Sequence, residues 1–106
     1  MTETDSENKE EKTESDNVIF IGSKPFMNYV ASVNFQFSVK NKKEVVIKAR
    51  GKFITKSVDI AEVVQKRFLK EQNIYVKNIK IDSEEFKNKL GRVVNISTIE
   101  IALSKK

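Results

Sequence analysis

The sequence predicts a two-layer α+β domain: a four-stranded mixed sheet with two helices on one face, in the order β-α-β-α-β-β, and a long hairpin arm joining the last two strands. Three patterns carry this expectation. An apolar run closed by a glycine leads into a helical stripe, a β-branched run leads into a second stripe, and the last third alternates with one polar interruption. At 106 residues the chain has room for a single folded domain.

Val18-Ile19-Phe20-Ile21 is a continuous apolar run ended by Gly22, the pattern of a central strand buried on both faces. Pro25 suits a helix start, where its fixed φ helps and its missing N–H costs nothing. Phe26, Val30, Val33 and Phe37 then form one apolar stripe, which predicts a helix over 25–39. Glu44-Val45-Val46-Ile47-Lys48-Ala49 reads as the second strand, ended by Gly51. From Phe53 to Lys70, Ile54, Val58, Ala61, Val64 or Gln65, and Phe68 recur near a helical period. Lys52, Lys56, Asp59, Lys66 and Lys70 fall on the other side, giving the second helix.

The remainder reads as a hairpin interrupted only at Lys87-Asn88-Lys89-Leu90-Gly91-Arg92. Ile79 and Ile81 are in step on one strand, as are Ile99, Ile101 and Leu103 on the other. Ile74 and Val76 have the opposite parity to Ile79 and Ile81, and the last strand switches likewise between Ile96 and Ile99. A bulge near Lys77-Asn78 and Ser97-Thr98, or partial cover on both faces, would account for this. Beyond the switches, about seven residues per strand at ~3.3 Å carry the tip roughly 20 Å past the core.

The net charge of +5 conceals two segments of opposite sign. Residues 1–16 hold seven acids (Glu3, Asp5, Glu7, Glu10, Glu11, Glu14, Asp16) against Lys9 and Lys12, a side-chain charge of −5. With Met1 as their only large apolar side chain, they are expected to be a disordered acidic tail. Residues 17–106 hold 18 basic against eight acidic side chains, or +10, the surplus a polyanion-binding surface needs. From its start near Asn17 the tail is expected to reach the basic surface of the folded part and compete there with a polyanion.

With no cysteine and no histidine, disulfides, thiolate or imidazole metal sites and the usual catalytic triads are excluded. No apolar run approaches the ~20 residues needed to cross a bilayer, and no signal-peptide pattern opens the chain, so a cytoplasmic protein without membrane contact is expected. Glu84 and Glu85 are adjacent on a strand and face opposite sides, which rules out an acid/base pair there. Asp59 and Glu62 share a helix face, but Lys66 lies four residues after Glu62 in the orientation of a surface ion pair. No enzyme, cofactor or metal is therefore expected.

Three places suit an anion. The turn Gly22-Ser23-Lys24-Pro25 joins a strand to a helix, where backbone N–H groups, the helix dipole and Lys24 favour negative charge. Lys48-Ala49-Arg50-Gly51-Lys52 places three cations in five residues, which repel without a counter-anion. Lys87, Lys89 and Arg92 crown the hairpin, where a basic arm can follow a backbone or enter a minor groove. Tyr29 is either an outward-facing stacking platform or a half-buried ring with a wet hydroxyl.

Ile21-Gly22-Ser23-Lys24-Pro25-Phe26-Met27-Asn28-Tyr29-Val30 resembles the first strand-to-helix turn of the Alba family of small basic archaeal nucleic-acid-binding proteins. Val46-Ile47-Lys48-Ala49-Arg50-Gly51-Lys52, followed by Ile54, Lys56, Val58 and Asp59, is similar to its second strand and helix start. Arg67-Phe68-Leu69 and Ser97-Thr98-Ile99-Glu100-Ile101-Ala102 extend the resemblance over about residues 17–106. The resemblance implies a dimeric chromatin protein that binds double-stranded DNA, and also RNA, with little sequence preference and compacts DNA at the chromosome. It points to Ser23, Lys24, Asn28, Tyr29, Lys48, Arg50 and Lys52 on the body of the binding surface, and to Lys87, Lys89 and Arg92 on the arm. Phe68 matches an aromatic position used where dimers meet on DNA. Ser23 stands where the family often has the first of two lysines, and the acidic tail is longer than usual for the family. Two alternatives are an RNA chaperone or ribonucleoprotein subunit, and a heterodimer partner of a more basic paralogue.

Overall fold

In the computed structural model, which describes residues 17–68 and 70–106 apart from the side chains of Phe68 and Lys70, the chain follows the expected β-α-β-α-β-β order. The elements are β1 (Val18–Phe20), α1 (Phe26–Ser38), β2 (Glu44–Arg50), α2 (Ile54–Val63), β3 (Ile74–Lys87) and β4 (Val93–Lys105). The acidic segment 1–16 lies outside the described residues. The sheet order is β1-β2-β4-β3, with β1 parallel to β2 and the other pairs antiparallel.

Period-2 alternation turns Val45, Ile47 and Ala49 of β2 and Ile99, Ile101 and Leu103 of β4 toward the helices, where all are buried. Tyr29, Val30, Val33 and Phe37 of α1 and Ile60, Ala61 and Val64 of the second helical segment close the core. Pro25 takes the capping position before α1 (φ −56°, ψ 146°), one residue earlier than a first-turn proline.

Four readings need correction. β1 is an edge strand, not a central one, and Phe20 is 68% exposed on the sheet face opposite the helices. An apolar run tells burial from exposure poorly when only Ile21 and Ile19 meet the helix layer. The second helix is not continuous. A 3₁₀ turn (Gly51–Phe53) precedes α2, and a π-turn (Val64–Phe68) and a 3₁₀ turn (Lys70–Gln72) follow it. Its buried face includes Ser57 rather than Val58, which is 41% exposed, and the Ser57 hydroxyl donates to Ile54 O at 2.6 Å. Finally, the parity switches have two different origins. A bulge between Val76 and Asn78 puts Ile74, Val76, Ile79 and Ile81 on one face, whereas β4 is regular there, so Ile96 lies on the face opposite Ile99.

β2 ends at Arg50, paired with Thr98, while β3 and β4 continue pairing from Ser83↔Ser97 to Lys87↔Val93. These pairs, at ~3.3 Å per residue, form an arm that reaches roughly 20 Å past the sheet with its loop. The described chain extends 50 Å along its longest axis and 24 and 23 Å across it.

Candidate nucleic-acid interface

The parallel pairing of β1 with β2 puts the exits of both strands at one end of the sheet, the end from which the arm projects. That end gathers the turn at residues 22–25, the Gly51–Phe53 turn and the arm. Gly51 has φ +57°, a left-handed conformation that a side chain would strain, and it opens the 3₁₀ turn that leads from β2 into α2.

The first turn is built from beneath. Tyr29 is 7% exposed, and its Oη accepts the N–H groups of Gly22 (2.9 Å) and Lys24 (3.1 Å). Lys56 Nζ donates to the carbonyls of Gly22 (2.8 Å) and Lys24 (2.6 Å) and lies 5.0 Å from the Tyr29 ring centroid. Two of the amides expected to meet an anion are thus already satisfied, and Tyr29 has no open ring face for a base. What the turn offers is the exposed side chains of Ser23, Lys24 and, one helical turn on, Asn28. The helical period puts Lys56 on the polar side of the second helix. It faces a tyrosine 27 positions away in sequence, a pairing no local pattern signals.

Lys48 and Arg50 lie on the open sheet face, and both have counter-ions. Lys48 sits opposite Glu100 in the β2–β4 register, with Nζ 3.6 Å from its carboxylate. Arg50 reaches across β4 to an ion pair with Glu84 at the base of the arm. A third pair joins Lys77 to Glu44 at 2.9 Å, and that carboxylate raises the Lys77 pKa above its ordinary value, first through the hydrogen bond and then through its charge. With Lys80 and Asp82 the open face carries four cations and four acids, so it is balanced rather than basic. Glu100 and Glu84, the latter excluded by its sequence position only as half of an acid/base pair, act here as partners for the β2 cations.

The cations outside these pairs define the basic end. Lys24 is exposed, and Lys52 is also exposed, with Nζ 5.5 Å from the Phe53 ring. Lys87, Lys89 and Arg92 are exposed around a tip that is firmly built. Asn88 Oδ1 accepts the N–H groups of Leu90 (2.9 Å) and Arg92 (3.0 Å), Asn88 N–H donates to Arg92 O (2.9 Å), and Gly91 takes φ +80°. The loop backbone therefore holds its shape without help from the basic side chains. Beside it, Phe86 and Ile96 line an apolar hollow with Arg50, Gly51, Lys52 and Phe53. The Phe68 side chain, expected at a contact between dimers, lies outside the described residues.

The Alba family model matches residues 17–83. The DNA/RNA-binding protein Alba of Methanococcus maripaludis is 43% identical over 90 residues, covering 85% of this chain and 99% of that protein. The protein of the same name from Nanoarchaeum equitans is 53% identical over 89 residues, covering 83% and 97%. The solved structure of Alba from Thermoplasma volcanium aligns with a TM-score of 0.75 at 42% identity, over 83% of this chain and 99% of that one.

Proposed function

The chain belongs to the Alba family, whose members from Methanococcus maripaludis and Nanoarchaeum equitans are named as DNA/RNA-binding proteins and not as enzymes, and on that premise we propose that it is a sequence-tolerant binder of double-stranded DNA and RNA that coats and compacts the chromosome. The observation that carries this is the gathering of Lys24, Lys52, Lys87, Lys89 and Arg92 at one end of the sheet, with no ion-pair partner among the described residues. Phosphates dock on this end and release counterions, while the arms follow the groove by shape. The experiment is filter binding of matched duplex DNA, duplex RNA and structured RNA over a salt series. If a dimer neutralises about six phosphates, log K falls with log salt with a slope near −5 on any duplex sequence. Strong sequence dependence with a shallow slope would contradict the reading.

The active unit of this proposal is a dimer. Ile79 and Ile81 lie on the helix side of β3, beyond the cover of the helices, and are 55% and 76% exposed. A domain this small gains from burying such a strip against a second copy. Sedimentation at micromolar concentration is expected to give about twice the chain mass, and Ile81→Glu to give the monomer. A wild-type monomer would remove the two-armed geometry.

Arg50 joins the interface only by exchanging Glu84 for a phosphate. Exposed pairs are worth roughly 0–1 kcal/mol, so the exchange is cheap but measurable. Glu84→Gln is expected to raise duplex affinity about two- to fivefold at low salt, an effect that fades as salt rises. Unchanged affinity would leave Arg50 as a strap on the arm rather than a phosphate contact.

A further inference from the structure

The second basic cluster of the molecule lies at the far end of the sheet. α1 ends there, and the loop after it is folded onto the end of β4. Lys40 N–H donates to Phe35 O (3.0 Å), Lys42 N–H to Gln36 O (2.9 Å), and Asn41 between them takes φ +55°. Lys43 O accepts from Lys105 N–H (3.0 Å) and from the Ser104 hydroxyl (3.2 Å). Lys105 Nζ donates to Phe37 O and to Asn41 Oδ1, both at 3.1 Å. Lys40, Lys42, Lys43, Lys105 and Lys106 are thereby fixed on one pole.

Among the described residues, two side-chain carboxylates accompany them. Glu44 is held by Lys77, and Glu71 sits on the 3₁₀ turn that Gln72 ties to Ser38 through a 3.0 Å hydrogen bond. The described side chains of this pole therefore sum to a positive charge, at the opposite end from Lys24 and Lys52.

The chain enters the fold at this pole. Asn17 O accepts the Val46 N–H (2.9 Å), and Asn17 Nδ2 donates to Glu44 O (3.0 Å), which fixes Asn17 beside the backbone at the start of β2. Residues 1–16 carry a side-chain charge of −5, and Glu10, Glu11, Glu14 and Asp16 fall within seven positions of Asn17. We propose that the pole formed by Lys40, Lys42, Lys43, Lys105 and Lys106 is the docking surface for this chain's own acidic segment, residues 1–16. The tether makes the encounter intramolecular, with an effective concentration in the millimolar range or above. The basic surface at the other end lies about five strand residues, roughly 16 Å, beyond Asn17, so the acids nearest Asn17 meet the pole first. Docked there, the segment covers the second basic surface and leaves the arm end as the one open to a polyanion.

The full chain permits a direct test, because it contains no cysteine and Ser6→Cys provides a unique site for a nitroxide label. The readout is paramagnetic broadening of backbone amides at about 25 mM and about 0.5 M salt, since attraction between exposed charges is screened at the higher value. Expected is broadening at Lys42, Lys43, Lys105 and Lys106 that recovers at high salt. It should recover equally at low salt when Glu10, Glu11 and Glu14 are changed to Gln and Asp16 to Asn. Broadening that neither salt nor neutralisation alters would reflect tethering alone and overturn the proposal. Broadening centred on Ser23–Met27 and Gly51–Phe53 would overturn it too, by placing the segment in competition with nucleic acid.

Discussion

Replacing Lys87, Lys89 and Arg92 together by alanine is expected to weaken duplex binding roughly 10³-fold at 0.15 M salt and to flatten the salt slope from about −5 to about −1.5. The estimate takes two phosphate contacts per arm and four per dimer, each contributing about 0.9 to the slope. The three side chains are exposed, and the tip backbone is closed by Asn88 and Gly91 rather than by them. Melting temperature should therefore fall by no more than a few degrees, since surface substitutions away from packed features cost about 0.5 kcal/mol or less each. Lys66→Ala is the control for loss of one charge elsewhere, because Lys66 is paired with Glu62 on α2 (2.9 Å) and away from the basic end. A loss in log K for the triple variant no more than three times that of the control would mean that only net charge matters.

Tyr29→Phe is expected to cost about 1–3 kcal/mol of stability, because it leaves the Gly22 and Lys24 N–H groups without their acceptor in a turn that packing keeps in place. For a domain of this size that is a fall in Tm of about 5–15 °C. Amide exchange at Gly22 and Lys24 should quicken more than at Val30 or Val33, which lie in the same helix and core. Duplex affinity should drop severalfold with an unchanged salt slope, since Lys24 keeps its charge and loses its fixed position. A variant as stable as the wild type would mean that water replaces the hydroxyl and that the turn does not depend on Tyr29.

Elements governed by local pattern were legible in the sequence. α1 follows from Pro25 and the Phe26, Val30, Val33, Phe37 stripe, and β2 from its β-branched run. The parity switch in β3 announced an irregularity, and the bulge lies at Lys77. The same switch in β4 meant something else, because a bulge and a change of buried face look alike in one strand. The edge position of β1 was hidden for a related reason: strand order is a long-range property, and Val18–Phe20 has one neighbour where a central strand has two.

The candidate interface divides in the same way. Clusters such as Lys48-Ala49-Arg50-Gly51-Lys52 were visible from composition, but their counter-ions depended on register. Lys48 meets Glu100 and Arg50 meets Glu84 only once β2, β4 and β3 are aligned. The Tyr29–Lys56 support of the first turn required α1 and α2 to be packed side by side.

The proposed function requires one end of the sheet to take the nucleic acid, and an amide chemical-shift map of the full chain titrated with a short duplex measures that directly. The expected shifts centre on Ser23–Met27, Gly51–Phe53 and Lys87–Arg92, with little change at Lys40–Lys43 or along the balanced face at Lys48, Glu100 and Asp82. Shifts centred on that balanced face or on the lysine pole, with the arm tip unmoved, would contradict it.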